Sequence, residues 1–263
     1  MNIRLATIAL SAFLLLAQTV TAQITVPERF VQIQSINLTT SVLELHNSGT
    51  ESQSLAGWRF CTHDENEIRR YSAVSGLNNF TLASGQSLFV HFNNDADASA
   101  PQAVNISAIG GAFAQPLDAA GAYGAQIYFQ TPFGVGANIA DSVQFSLGGL
   151  DNTTADERSD EAEGEVWADQ SDWISVSEMT EMIVLNDGAS NSEINSPSDY
   201  TVSLQVILGD LNGDGEVGFS DIPPFIDLLI SGDFSPEGDI NQDEAVSFAD
   251  IPGFIQLLIS VAS

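Results

Sequence analysis

The chain has 263 residues, 44% of them hydrophobic, enough for one large or two modest globular domains. Against 35 acidic side chains stand six basic ones, all arginine, for a net charge of −29. That balance argues against nucleic-acid binding, which needs Lys and Arg on phosphates, and against adsorption to anionic lipid. It suits a solvated surface that attracts divalent cations, and a salty medium in which screening relieves self-repulsion.

The chain opens with a short basic start, Met1-Asn2-Ile3-Arg4, then an uncharged and mostly apolar run from Leu5 to Ala17. Val20-Thr21-Ala22 places small residues before a cleavage point, so residues 1–22 read as a secretory signal peptide cut before Gln23. The alternative, a membrane anchor, fits less well because a span needs ~20 apolar residues. No later stretch is long and apolar enough to cross a membrane. Cys61 is the only cysteine, which leaves no intrachain disulfide. Beside Phe60 it reads as a small core hydrophobe rather than a nucleophile.

Residues 23–203 read as one sandwich domain with insertions, and from Phe30 to about Phe92 the period is two. Val31 and Ile33 alternate with polar residues, and Val42-Leu43-Glu44-Leu45, Trp58-Arg59-Phe60 and Leu88-Phe89-Val90-His91-Phe92 follow. Asn47-Ser48-Gly49 and Ala83-Ser84-Gly85 mark turns between them. A second group holds Ile127-Tyr128-Phe129, then Val143, Phe145 and Leu147. Short alternating runs with regular turns predict a mainly β fold, an antiparallel β-sandwich. Residues 95–124, rich in Ala, Gly and Ser, read as a loop of weak structure. Residues 151–172, with Asp156, Glu157, Asp160, Glu161, Glu163 and Glu165, read as a solvated acidic loop.

The run Leu43-Glu44-Leu45-His46-Asn47-Ser48-Gly49, then Leu55-Ala56-Gly57-Trp58-Arg59-Phe60, then Phe80-Thr81-Leu82-Ala83-Ser84-Gly85 resembles the lamin-tail domain. Ala140-Asp141-Ser142-Val143-Gln144-Phe145 is similar to that family's closing strand. The resemblance implies an immunoglobulin-like sandwich that serves as an interaction or accessory module, with Trp58 packing inside it. The family supplies no common catalytic residues. An extracellular polysaccharide or a protein is the expected kind of ligand.

No HExxH or GxSxG occurs, and no catalytic residue is predicted. The one polar cluster that could do chemistry is His63-Asp64-Glu65-Asn66-Glu67 with Arg69-Arg70, expected as a loop between strands. If His63, Asp64 and the arginines met in a cleft, an extracellular hydrolase acting on polysaccharide or nucleic acid would be the competing reading.

In residues 204–263 spacing carries chemistry. Residues 210–221 place Asp210, Asn212, Asp214 and Asp221 at positions 1, 3, 5 and 12 of a loop, with Gly215 at 6 and Glu216 at 7. Calcium takes six to eight hard oxygens, and a twelve-residue loop supplies them from these positions, the seventh through its main-chain carbonyl. Residues 239–250 repeat the pattern 29 residues later, with Asp239, Asn241, Asp243, Ala245 and Asp250. Two matches in register indicate a duplication. Each loop is followed by an apolar helical face, Ile222, Phe225, Ile226 and Leu229, then Ile251, Phe254, Ile255 and Leu258. Pro223 and Pro252 stand where a first helical turn tolerates proline. Tyr200 to Val206 alternates like a strand, so neither unit has an entering helix.

A loop and exiting helix without an entering helix, with Asp at position 12, resembles the type I dockerin, a small α-helical, EF-hand-like module. The resemblance implies two Ca2+ sites and a cohesin-like protein as partner. Glu244 stands where the family has glycine, so the second site is predicted to bind calcium more weakly. Positions 10 and 11 hold Phe219-Ser220 and Phe248-Ala249, and the phenylalanines are expected to pack between the two halves. The Ile-Pro-x-Phe-Ile helices are similar to tails on planctomycete secreted proteins, which places the expected protein outside a bacterial cell or on its surface. The sequence thus predicts a secreted, non-catalytic calcium-binding protein whose tail attaches a sandwich to a partner.

Overall fold

The computed structural model describes residues 27–64, 66, 69–73, 75–93, 102–110, 117–152, 162–186 and 194–261. The predicted signal peptide lies outside these residues, as do Glu65, Glu67, Asp156, Glu157, Asp160 and Glu161.

The alternating runs form strands, and the alternation decides which side chains enter the core. In chain order these are β1 (Val31–Asn37), β2 (Val42–Asn47), β3 (Gln53–Ser54), β4 (Arg59–Asp64), β5 (Arg69–Tyr71), β6 (Thr81–Leu82) and β7 (Ser87–His91). They continue as β8 (Ala103–Asn105), β9 (Tyr123–Tyr128), β10 (Ile139–Leu147), β11 (Ile174–Val176), β12 (Thr180–Leu185) and β13 (Tyr200–Leu204). A six-stranded sheet runs β13-β12-β1-β2-β7-β8 and a five-stranded sheet runs β11-β10-β9-β4-β5, with β3 and β6 forming a small ribbon. Leu43, Leu45, Leu88 and Val90 of the first sheet share one buried cluster with Phe60, Ile127, Val143 and Phe145 of the second. The protein is therefore mainly β, as a sandwich should be. Trp58 is buried in that cluster and stacks against Phe129 at 6.3 Å.

Three details differ from the sequence reading. The sandwich is not wholly antiparallel, because β8 pairs parallel to β7 and β11 parallel to β10, each at a sheet edge. Parallel neighbours need a long crossover connection, which the two stretches read as loops supply. Those stretches also feed the core: Ile106, Ile109, Leu117, Val166 and Trp167 are all buried. Finally, Cys61 is half-buried and packs at the margin of the core cluster rather than inside it.

One carboxyl ties the sheets together. Asp141 lies opposite Ile127, which lies opposite Phe60, so it points inward from β10. Its Oδ2 accepts the Ile33 N–H of β1 at 2.7 Å, and its Oδ1 accepts the Ser142 N–H at 2.8 Å. Burial raises its pKa from 3.8 to about 7, although both N–H groups and Arg29 oppose the rise.

After β13 the chain enters the tail. Two helices follow the two predicted loops, α1 (Ile222–Ser231) and α2 (Ile251–Val261). Pro223 and Pro224 sit in the first turn of α1, and Gly232, at φ 73°, ends it in the left-handed conformation. No helix among the described residues is long and apolar enough to cross a membrane.

Candidate metal centre

The two predicted loops fold around their first and last aspartates. Asp210, Asp221, Asp239 and Asp250 are between 0 and 7% exposed. Asn212, Asp214, Glu216, Asn241, Asp243 and Ala245 lie at the surface.

In the first loop Asp210 Oδ1 accepts the N–H groups of Gly213 and Asp214 at 2.9 and 3.2 Å, and its Oδ2 that of Gly215 at 2.9 Å. Asp221 Oδ1 accepts from Leu211 and Asn212 at 2.8 and 3.0 Å, and its Oδ2 from Gly218 at 2.7 Å. Each of these carboxylates therefore holds three backbone donors. The Asn212 amide donates to Asp214 Oδ2 at 2.9 Å, bringing positions 3 and 5 together.

The second loop repeats this with fewer bonds. The Asp239 carboxylate accepts from the N–H groups of Asp243 and Glu244, at 2.9 and 2.8 Å. The Asp250 carboxylate accepts from those of Asn241 and Ser247, at 3.0 and 2.8 Å. Asn241 donates to Asp243 at 2.9 Å, as its counterpart does. The two N–H groups that differ bond to main-chain carbonyls instead, Gln242 to Asp239 at 3.3 Å and Ile240 to Gly238 at 3.0 Å. Gly213 and Gly215 adopt φ of 74° and 88° in the first loop, while Gln242 and Glu244 adopt 58° and 68° at the matching places. A side chain in this region costs roughly 1–2 kcal/mol per residue. Glu244 was legible as a misfit; Gln242, opposite Gly213, was not singled out, though aligning the two copies reveals it.

The copies are related by a local two-fold. Phe225 and Phe254 stack with ring centroids 4.3 Å apart. Gly209 lies against Val217 and Leu257, and Gly238 against Val246 and Leu228, each the same contact shifted by 29 residues. A Cβ on Gly209 would come within 3.0 Å of both neighbours, so glycine lets each loop close on the opposite helix. The expectation for Phe219 and Phe248 is corrected: both are exposed, and the interface between the halves belongs to Phe225 and Phe254.

The donor set fits a hard divalent cation. Residues 204–263 hold eleven carboxylates and no Lys, Arg or His. Four of the carboxylates are buried, and buried charge needs a counter-charge or metal. Backbone N–H groups meet part of that need but carry no net charge. Oxygen ligands without nitrogen or sulfur favour Ca2+ over transition metals. Asp210, Asn212, Asp214, the Glu216 carbonyl and Asp221 would hold one ion. Asp239, Asn241, Asp243, the Ala245 carbonyl and Asp250 would hold the other. Among the described residues, no three His, Cys, Asp or Glu side chains form a metal-sized cage by themselves. The loop scheme draws part of its donors from asparagine amides and main-chain carbonyls.

The competing catalytic cluster is described in part, since Glu65 and Glu67 lie outside the described residues. His63 and Asp64 are consecutive residues of β4, both buried, rather than members of a loop. Consecutive strand residues point to opposite faces, and Asp64 Oδ1 accepts the Asn66 N–H at 2.9 Å to close the β4–β5 hairpin. Arg69 lies opposite His63 in register. Against known proteins, neither a family model nor a curated protein matches this chain.

Proposed function

We propose that this is a secreted, non-catalytic calcium-binding protein. Its dockerin-like tail, folded around two Ca2+ ions, attaches a lamin-tail-like, immunoglobulin-like β-sandwich to a partner outside a bacterial cell. The observation that carries the reading is the burial of Asp210, Asp221, Asp239 and Asp250 in a segment without one basic residue. A segment of about 60 residues buries only about 60% of the surface its unfolded chain exposes and is marginal on its core alone; no intrachain disulfide is available with Cys61 alone. Calcium supplies the missing counter-charge and links loop closure to helix docking. The dockerin resemblance suggests a cohesin-like protein as partner, and the sandwich would present the ligand-binding surface.

Calorimetric titration of the chain from Gln23 onward with CaCl2 tests the metal reading. Two binding events are expected, the first loop tighter. Asp221→Ala should weaken the tighter event at least about tenfold, equal to 1.4 kcal/mol, and leave the weaker one. No heat of binding in either loop would end the proposal.

A further inference from the structure

The two tail helices leave an apolar face uncovered. Ile222, Phe225, Ile226 and Leu229 of α1 and their counterparts Ile251, Phe254, Ile255 and Leu258 line a shallow groove of about 210 Å3. Around it Phe219, Ile226, Ile230, Phe248, Ile255 and Ile259 are between 47 and 78% exposed. Ile226 and Ile230 stand one turn apart on α1, as Ile255 and Ile259 do on α2, while Phe219 and Phe248 stand in the turns that lead into the two helices. Weighting roughly 150–250 Å2 per large side chain by these exposures, the six offer on the order of 600–900 Å2. A monomer's largest apolar patch is about 300–600 Å2, and each partner in a standard dimer contributes about 800 Å2.

Charge says what fits there. The tail has eleven carboxylates, yet none lines the groove. The only charged residue of either helix, Asp227, lines the hollow on the other side of α1 with Leu211, Pro224 and Leu228. A face meant for a basic partner would keep carboxylates to steer it. A face that meets its own copy must lose them, because across a two-fold axis each charge meets a like charge.

We infer that this groove is a self-docking face: two copies of the chain join tail to tail, helix pair on helix pair, through Ile226 and Ile230 of α1, Ile255 and Ile259 of α2, and Phe219 and Phe248 just ahead of them. The inference rests on the reading of the tail as an attachment device and names a second copy as what it attaches to. The two copies pack α1 and α2 against their equivalents as a four-helix layer, with the loops and their carboxylates kept at the rim.

Light scattering of the chain from Gln23 onward, in calcium and over about 1–100 µM, reads the mass directly. A dimer is expected. The pair Ile226→Glu and Ile255→Glu should halve the mass, as should Ile226→Lys with Ile255→Lys. An equimolar mixture of the acidic and basic variants should recover a heterodimer, which misfolded variants could not do. A wild-type monomer throughout, a dimer indifferent to both pairs, or a mixture that stays monomeric would overturn self-docking. Capture of a foreign protein by a monomeric wild type would do the same. Calorimetric calcium binding by a monomer sinks the dimer alone. A dimer that keeps its helices in chelator sinks the calcium reading alone.

Discussion

The sandwich and the tail solve the problem of burial in opposite ways. The sandwich buries apolar side chains from both sheets in one cluster and admits few charges, Asp141 being the one that bridges its layers. The tail buries two phenylalanines, Phe225 and Phe254, and four aspartates. The first region can fold on the hydrophobic effect. The second encloses little apolar surface against its loss of chain entropy, and on the proposed reading its stability comes from the ions that the aspartates bind.

Chelation should separate the two regions most sharply. In calcium, thermal unfolding followed by far-UV circular dichroism should show helix signal lost at high temperature. In chelator the helical signal should be gone at room temperature while the β signal melts where it did before. A ligand present at 1,000 times its Kd contributes about 4.1 kcal/mol, enough to decide whether the tail is folded. Helices that persist in chelator would erase the contrast.

Acidity should act on the sandwich through Asp141. Asp141 titrates at about 7 when folded against 3.8 for an ordinary carboxyl, so the folded interior favours its protonated form. The stability this adds is complete below about pH 4 and is lost as pH rises through 7. Between pH 5 and pH 8 the sandwich should lose about 2–3 kcal/mol, read from denaturant midpoints. A sandwich midpoint that rises with pH would remove Asp141 from the account.

The smallest effect lies between the two loops. Glu244→Gly should relieve the positive φ at that position and tighten the second site by about 1 kcal/mol, roughly fivefold. Gln242→Gly should add a similar step, making the second loop resemble the first. Calorimetry showing no change in either would mean that backbone strain does not set the difference.

The tail was more legible than the sandwich. Ligand type at fixed spacing is a local pattern, so both loops could be placed to the residue and Glu244 recognised. Phe219 and Phe248 could not be placed, since periodicity shows that a helix has an apolar face but not what covers it. In a unit this small the helices meet at Phe225 and Phe254 and leave Phe219 and Phe248 exposed. In the sandwich, alternation revealed β1, β2, β4, β7 and β10. It gave no sign of the three-residue strands β5, β8 and β11, whose pairing is decided by neighbours far along the chain. Asp141 looked like one carboxylate among 35 until the register of β9 and β10 turned it inward.

The tail is hung from an edge strand. β13 pairs with β12 through antiparallel contacts from Leu185–Tyr200 to Thr180–Leu204, and the Gln205 N–H bonds to the Met179 carbonyl at 2.7 Å where the tail begins. Tension pulled through the tail along the axis of β13 therefore loads these bonds together, in shear. The same pull directed across the sheet would open them one at a time from Gln205. The junction is a mechanical element with a strong and a weak direction, and the direction of the pull decides which of the two a load will find.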